Sequence, residues 1–165
     1  MTEKILISAC LVGQPVRYNG SAKTVTHCLI SQWQNEGRLV VICPELAAGF
    51  SVPRPPAEIA HAQDGTAVLN EKACVIEENG TDLSKLFIAG ANTALALAQE
   101  HGCKFALLTD GSPSCGSTVI YDGTFGGRKH QGAGVTTALL QAHGVQVFAE
   151  TEIDTLARLL AAQEA

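Results

Sequence analysis

What this 165-residue chain is short of narrows its chemistry before any motif is read. Charged residues make up only 16% of it and the net charge is −5, so no basic excess is available to grip a nucleic-acid backbone over a broad surface. No apolar run approaches the ~18 residues that a membrane-spanning helix needs. The opening Met1-Thr-Glu-Lys-Ile-Leu-Ile-Ser8 has no long apolar core behind a charged start, so no signal peptide is expected. There are no internal repeats, no low-complexity segments and no composition shift that would mark a domain boundary. No two cysteines form a close pair of the zinc-ribbon kind, and there is no ferredoxin-type run. The glycines at 126–127 and 132–134 do not follow a strand in the dinucleotide-binding pattern. None of the five histidines pairs with another at a metal-binding spacing. The expectation is one cytoplasmic globular domain over residues 1–165, with no membrane partner and no stable nucleic-acid partner.

What is present is a rhythm of short buried strands and amphipathic helices. Residues 4–8, 39–42, 105–108 and 145–148 read as strands, each short, apolar and rich in β-branched or aromatic residues. Residues 24–36, 81–101, 135–143 and 151–162 read as helices, with Gly37, Gly102 and Gly144 as stops. In the longest, Thr81 is placed as the cap, and a stripe from Leu83 to Ala98 includes the small residues Gly90, Ala91 and Ala94. Three prolines within residues 52–57 predict a rigid surface loop. Residues 67–69 and 73–76 read as a hairpin around Asn70-Glu71-Lys72. Strands alternating with helices predict an α/β fold, a single-domain three-layer sandwich around a mostly parallel, Rossmann-like sheet.

Six cysteines in a reducing compartment are not automatically disulfides. Cys28, Cys74 and Cys103 read as small buried hydrophobes. Cys10, Cys43 and Cys115 differ, because each follows a predicted buried strand. Ligands of parallel sheets bind beyond the carboxyl ends of the strands, so thiols at three such ends can converge on one metal centre. The loops suit a site as well. Cys43 is followed by Pro44 and Glu45, and Cys115 lies in Asp110-Gly-Ser-Pro-Ser-Cys-Gly-Ser117, which exposes backbone N–H groups.

At these residues the sequence resembles the TudS thiouracil desulfidases. The matching pieces are Ser8-Ala-Cys-Leu-Val-Gly13, Arg17-Tyr-Asn-Gly20, Cys43-Pro-Glu45, Pro53-Arg-Pro-Pro-Ala-Glu58, Ser112-Pro-Ser-Cys-Gly116, Tyr121-Asp-Gly-Thr-Phe125 and Gly132-Ala-Gly-Val-Thr136. The resemblance runs over nearly the whole chain. It implies a [4Fe–4S] cluster held by three cysteines with the fourth iron open, and the matching positions are Cys10, Cys43 and Cys115. It also implies removal of sulfur from thiolated uracils such as 4-thiouracil and 4-thiouridine monophosphate. Some members carry an added domain and act on tRNA. No such addition is visible here, which sets a thiolated pyrimidine or its nucleotide as the expected partner.

On that expectation the reaction is a non-redox replacement of sulfur by water, with iron as a soft Lewis acid. Glu45, two residues from Cys43, is the candidate general base. Ser112 is the candidate to hold the pyrimidine edge or relay a proton, with Ser114 competing for that role. Arg17, Lys23 and Arg54 are candidates for substrate phosphate, with Lys129 behind them. The rival readings are an iron–sulfur or zinc-bound sulfur sensor or carrier without turnover, a zinc hydrolase on the same thiols, and an electron-transfer protein.

Overall fold

The computed structural model describes residues 2–164. Its chain order is β1 (Ile5–Ser8), α1 (Cys28–Asn35), β2 (Leu39–Ile42), α2 (Pro44–Ala47), β3 (Ala57–Ile59), α3 (Gly65–Leu69), β4 (Val75–Glu77), α4 (Ser84–Glu100), β5 (Phe105–Leu108), β6 (Val119–Tyr121), β7 (Lys129–Gln131), α5 (Val135–Ala142), β8 (Gln146–Ala149) and α6 (Ile153–Glu164). The four strands foreseen in the sequence form one sheet in the order β2-β1-β5-β8, and every neighbouring pair is parallel. No helix among the described residues is long and apolar enough to cross a membrane.

Alternation along each strand explains the layers. Ile5 and Ile7 of β1, with Phe105 and Leu107 of β5, pack on Ile30 and Trp33 of α1 and on Leu156 and Leu160 of α6. Leu6, Ala106 and Leu108 face the opposite way, onto Ala94, Leu95 and Ala98 of α4 and Leu140 of α5. Both sheet faces are therefore covered, which is why the strands read as continuous apolar runs. The expected α/β sandwich with a parallel sheet is what forms.

The register brings the strand ends level. Ile5 pairs with both Leu39 and Phe105, Ser8 with Ile42, and Leu108 with Ala149. The chain leaves β1 toward β2 on one side and reaches β5 on the other. That reversal next to β1 opens a crevice beyond the carboxyl ends.

Four local expectations are corrected. The helix foreseen at 24–36 starts only at Cys28, because His27 Nδ1 accepts a hydrogen bond from Leu29 N at 3.1 Å and ends the extended segment before it. That segment is tied instead to the first turn after β1, through Lys23 N to Cys10 O and Val25 N to Leu11 O, both 3.0 Å. The hairpin foreseen at 67–76 does not form. Asp64 caps a short helix by accepting from Ala67 N at 3.0 Å, and β4 pairs antiparallel with β3. The long helix starts at Ser84, not Thr81, because Asp82 bridges Ile76 and Ser84 Oγ accepts from Val75 N. The antiparallel pair β6–β7 has no counterpart in the sequence reading, since Lys129-His-Gln131 carries no apolar alternation.

Small residues bring helices hard against the loops of the crevice. A Cβ on Gly90 of α4 would lie 2.4 Å from Pro44 O. A Cβ on Gly134, just before α5, would lie 2.5 Å from both C and O of Ser114. Gly134 has an ordinary φ of −74°, so this restriction is steric rather than conformational. Gly134→Ala should therefore lower unfolding free energy by about 1–3 kcal/mol and displace the loop carrying Cys115. Denaturant melts and near-ultraviolet circular dichroism check both.

Candidate active site

A cavity of about 490 Å³ occupies the crevice, a volume typical of small-molecule sites. Cys10, Cys43 and Cys115 all line it. Cys10 sits in a 3-10 turn, Ala9–Val12, directly after β1. Cys43 is the residue between β2 and α2, and Pro44 opens that helix at a position where its missing N–H costs nothing. Cys115 follows β5 by one loop. Cys10 and Cys115 are buried and Cys43 is half-buried.

Burial pushes all three thiols above the ordinary thiol range, Cys115 the furthest. The thiols are also close enough to act on one another. The Cys43 charge raises Cys10, and those of Cys43 and Cys10 both raise Cys115. Opposing groups are at hand. Thr109 beside Cys10, and the charges of Arg17 and Lys23, favour its thiolate, while Thr109 Oγ1 is buried without a well-formed hydrogen bond. The amides of Leu46 and Glu45 favour the Cys43 thiolate, although no full capping hydrogen bond forms. Three sulfurs that repel as anions, two of them buried and one half-buried, form a donor set whose charge a bound cationic centre offsets.

The other cysteines divide differently from expectation. Cys103 is a buried hydrophobe, with burial pushing its thiol up to about 11. Cys28 and Cys74 are exposed, because Cys28 opens α1 and Cys74 stands just before β4.

Glu45 reaches the cavity from the first turn of α2. Its Oε2 accepts from Arg54 Nε at 2.6 Å. Arg54 is 7% exposed and also donates to Ser51 O at 3.1 Å and Val16 O at 3.0 Å. The expectation of a phosphate contact at Arg54 gives way to a positioning role, since its fork is occupied by protein acceptors. Lys23 lines the cavity with Nζ 3.1 Å from Glu150 Oε1. Arg17 lines it with no ion pair among the described residues.

The two serines of the Cys115 loop separate. Ser112 lines the cavity, and its Oγ accepts from the amides of Ser114 at 3.0 Å and Cys115 at 3.1 Å. It is thus a turn serine whose own proton stays free to be donated. Ser114 is 1% exposed, bonds Thr136 Oγ1 at 2.7 Å and does not line the cavity, so the expectation that it touches substrate is corrected. Four groups that sequence reasoning did not single out complete the walls: Glu58, Asp110, Tyr121 and Phe125, with Lys129 stacked over the Tyr121 ring at 5.4 Å. Charge in a Gly-Ser loop was the available signal for Asp110. Glu58 gave none.

Fold and cavity define an α/β protein that gathers three thiols and a positioned carboxylate at the switch point of a parallel sheet. Residues 5–152 match the 2-thiouracil desulfurase family, and the chain belongs to that family. It is 43% identical over 152 residues to the uncharacterized protein YbbK of Bacillus subtilis (strain 168), covering 92% of this chain and 99% of that one. Among solved structures it is similar to TudS, a [4Fe–4S]-dependent thiouracil desulfidase, with a TM-score of 0.89 and 45% identity over 98% of this chain and 99% of that one.

Asp110 organises the Cys115 loop. Oδ1 accepts from the amides of Ser117 and Thr118, both 3.1 Å, and of Val119 at 3.2 Å, while Oδ2 accepts from Thr118 Oγ1. Burial pushes its carboxyl up, but these donors outweigh burial and hold it below the ordinary range. A carboxyl lowered by folding adds stability above its unfolded pKa of about 4, and that stability is lost as pH falls through the folded value. Discounted for partial exposure, Asp110→Asn should cost about 1 kcal/mol near neutral pH. The difference between variant and wild type should shrink as pH falls below the ordinary carboxyl range, which urea melts across pH will read.

Proposed function

We propose that the protein removes sulfur from thiolated uracil compounds at a [4Fe–4S] cluster held by Cys10, Cys43 and Cys115, with the fourth iron open. The observation that carries this reading is the meeting of three thiols, from three parallel strand ends, in one cavity with a carboxylate whose second oxygen is free. Thiolates suit iron–sulfur clusters, and the buried, mutually repelling set fits one.

When bound, such a cluster supplies a soft Lewis acid with a preference for thiocarbonyl sulfur over carbonyl oxygen. The chain's own groups supply the rest. Glu45 takes the proton of the attacking water at Oε1 while Arg54 holds Oε2 in place. Ser112 donates its hydroxyl proton to the pyrimidine edge. Arg17 and Lys129 place positive charge where a nucleotide phosphate is accommodated. Water supplies the oxygen and sulfur leaves as hydrosulfide, so no electrons are exchanged.

Anaerobic reconstitution with iron and sulfide, followed by incubation with 4-thiouracil or 4-thiouridine monophosphate, tests the proposal. Uracil or uridine monophosphate should appear with equimolar hydrosulfide, and cluster-free protein should be inert. A bound cluster without turnover on either compound would move the reading to a sulfur carrier. Cys10→Ala, Cys43→Ala and Cys115→Ala should each lose cluster absorbance and turnover, whereas Cys28→Ala and Cys74→Ala should keep both. Glu45→Gln should retain full iron and sulfide content but slow turnover about 10²–10⁴-fold.

A further inference from the structure

Part of the cavity wall is built where the end of β3 meets the loop between β6 and β7. Three non-glycine residues there hold left-handed backbone: His61 at φ 58°, Ala62 at φ 52° and Phe125 at φ 58°. Ala62 N donates to Asp122 O at 2.8 Å, and a Cβ on Gly123 would lie 2.5 Å from Ile59 O. Strained backbone of this kind persists only where the surroundings over-determine it.

Glu58 is the group that fastens this junction. It is 8% exposed, and its Oε1 accepts from Gly123 N at 3.0 Å and Phe125 N at 3.2 Å. The loop so held carries Phe125 into the cavity wall, between Tyr121 and Lys129. Among the described residues Glu58 makes no ion pair, and its Oε2 has no protein donor. Nor is Oε2 sealed inside protein: it is absent from the fully enclosed unpaired atoms, and Glu58 lines the cavity. Oε2 is thus open to an incoming donor, and a carboxylate can only accept.

We propose that Glu58 is the specificity-determining residue of the site, fastening the β6–β7 loop with one oxygen and accepting the ring N–H of the substrate with the other. The inference rests on the proposed desulfuration and deepens it. Every thiolated uracil, whether base, nucleoside or nucleotide, presents an N–H beside the carbon that carries sulfur. With N1 carrying a sugar, a thiolated cytosine presents only a bare acceptor nitrogen there, which a carboxylate opposes. Glu58 thus selects the uracil type.

Glu58→Gln separates the two duties. The glutamine carbonyl still accepts from Gly123 and Phe125, while its amide N–H₂ replaces the free acceptor with a donor. Wild-type enzyme should prefer 2-thiouridine to 2-thiocytidine in kcat/KM, and the variant should shift that ratio toward 2-thiocytidine by about 10- to 100-fold. The same shift should appear, without turnover, in ligand-observed NMR titrations of cluster-free protein with uridine and cytidine, whose N1 is blocked by the sugar. Amide exchange at Gly123 and Phe125 should stay protected in the variant. An unchanged ratio in turnover and binding, with the loop protected, would overturn the inference. So would equal binding of uridine and cytidine by wild-type protein, a result that stands even if the variant fails to fold. Absence of turnover combined with a uracil preference that Glu58→Gln abolishes would sink the desulfuration reading and leave the role of Glu58 standing.

Discussion

A parallel sheet leaves the carboxyl ends of all its strands on one side, and everything at this site depends on four such ends finishing level. Because Ser8, Ile42 and Leu108 stand abreast in the register, the residues that follow them start from one plane. Because β1 lies between β2 and β5, the connections after these strands part around it rather than cross it. Three thiols far apart in sequence thereby come to a single cavity without any local cysteine motif. The helices on both faces keep the strand ends dry, and that dryness raises the thiols and strengthens their mutual repulsion.

Convergence alone would leave three loose loops, and the surrounding contacts remove that looseness. The turn of Cys43 rests on Gly90 and the loop of Cys115 on Gly134, where helix backbone replaces side chain. Glu150 ties the Cys10 and Cys115 loops together: it binds Lys23 Nζ at 3.1 Å and accepts from Asp110 N at 3.1 Å. Thr137 Oγ1 donates to Cys115 O at 2.9 Å from α5. The proposed metal ligands would need fixed outer partners to hold their geometry, and the partners at hand are largely backbone and small side chains.

The sheet was legible in sequence because four apolar runs, bounded by glycine stops, can be little else once helices alternate with them. The start of α5 at Val135 was legible too, but those of the first and the longest helix were not. Thr81 looks like a cap, yet His27 and the Asp82 bridge decide those two boundaries through contacts that no local pattern encodes. The β6–β7 pair was invisible because β6 is only three residues long, β7 carries only polar residues, and the loop between them is held by Glu58, more than sixty positions earlier. Within the site, Cys10, Cys43 and Cys115 were legible through their shared place after strands, and Glu45 through its nearness to Cys43. Arg54 was misjudged because charge in a site loop suggests a substrate anion, whereas the proline-rich loop turns it back onto Glu45, nine residues away. Ser112 and Ser114 share one loop, and only the fold shows which hydroxyl faces the cavity.

The carboxylates around the cavity sort themselves by how completely they are satisfied. Both oxygens of Asp110 and both oxygens of Glu150 are taken by protein donors, so these side chains hold loops and have nothing left to offer a ligand. Glu78 lines the cavity from an exposed position, where water satisfies it. Glu45 and Glu58 differ from all three, since each commits one oxygen to the protein and keeps one. The committed oxygen fixes the side chain, through Arg54 for Glu45 and through two loop amides for Glu58, and the uncommitted one is then presented in a single direction. A group that must meet a substrate atom at a set angle gains from this arrangement, because its rotamer freedom is removed before binding rather than during it. Half-satisfaction therefore sets two carboxylates of this cavity apart from the structural ones, Glu45 and Glu58, the two to which proton transfer and recognition are proposed.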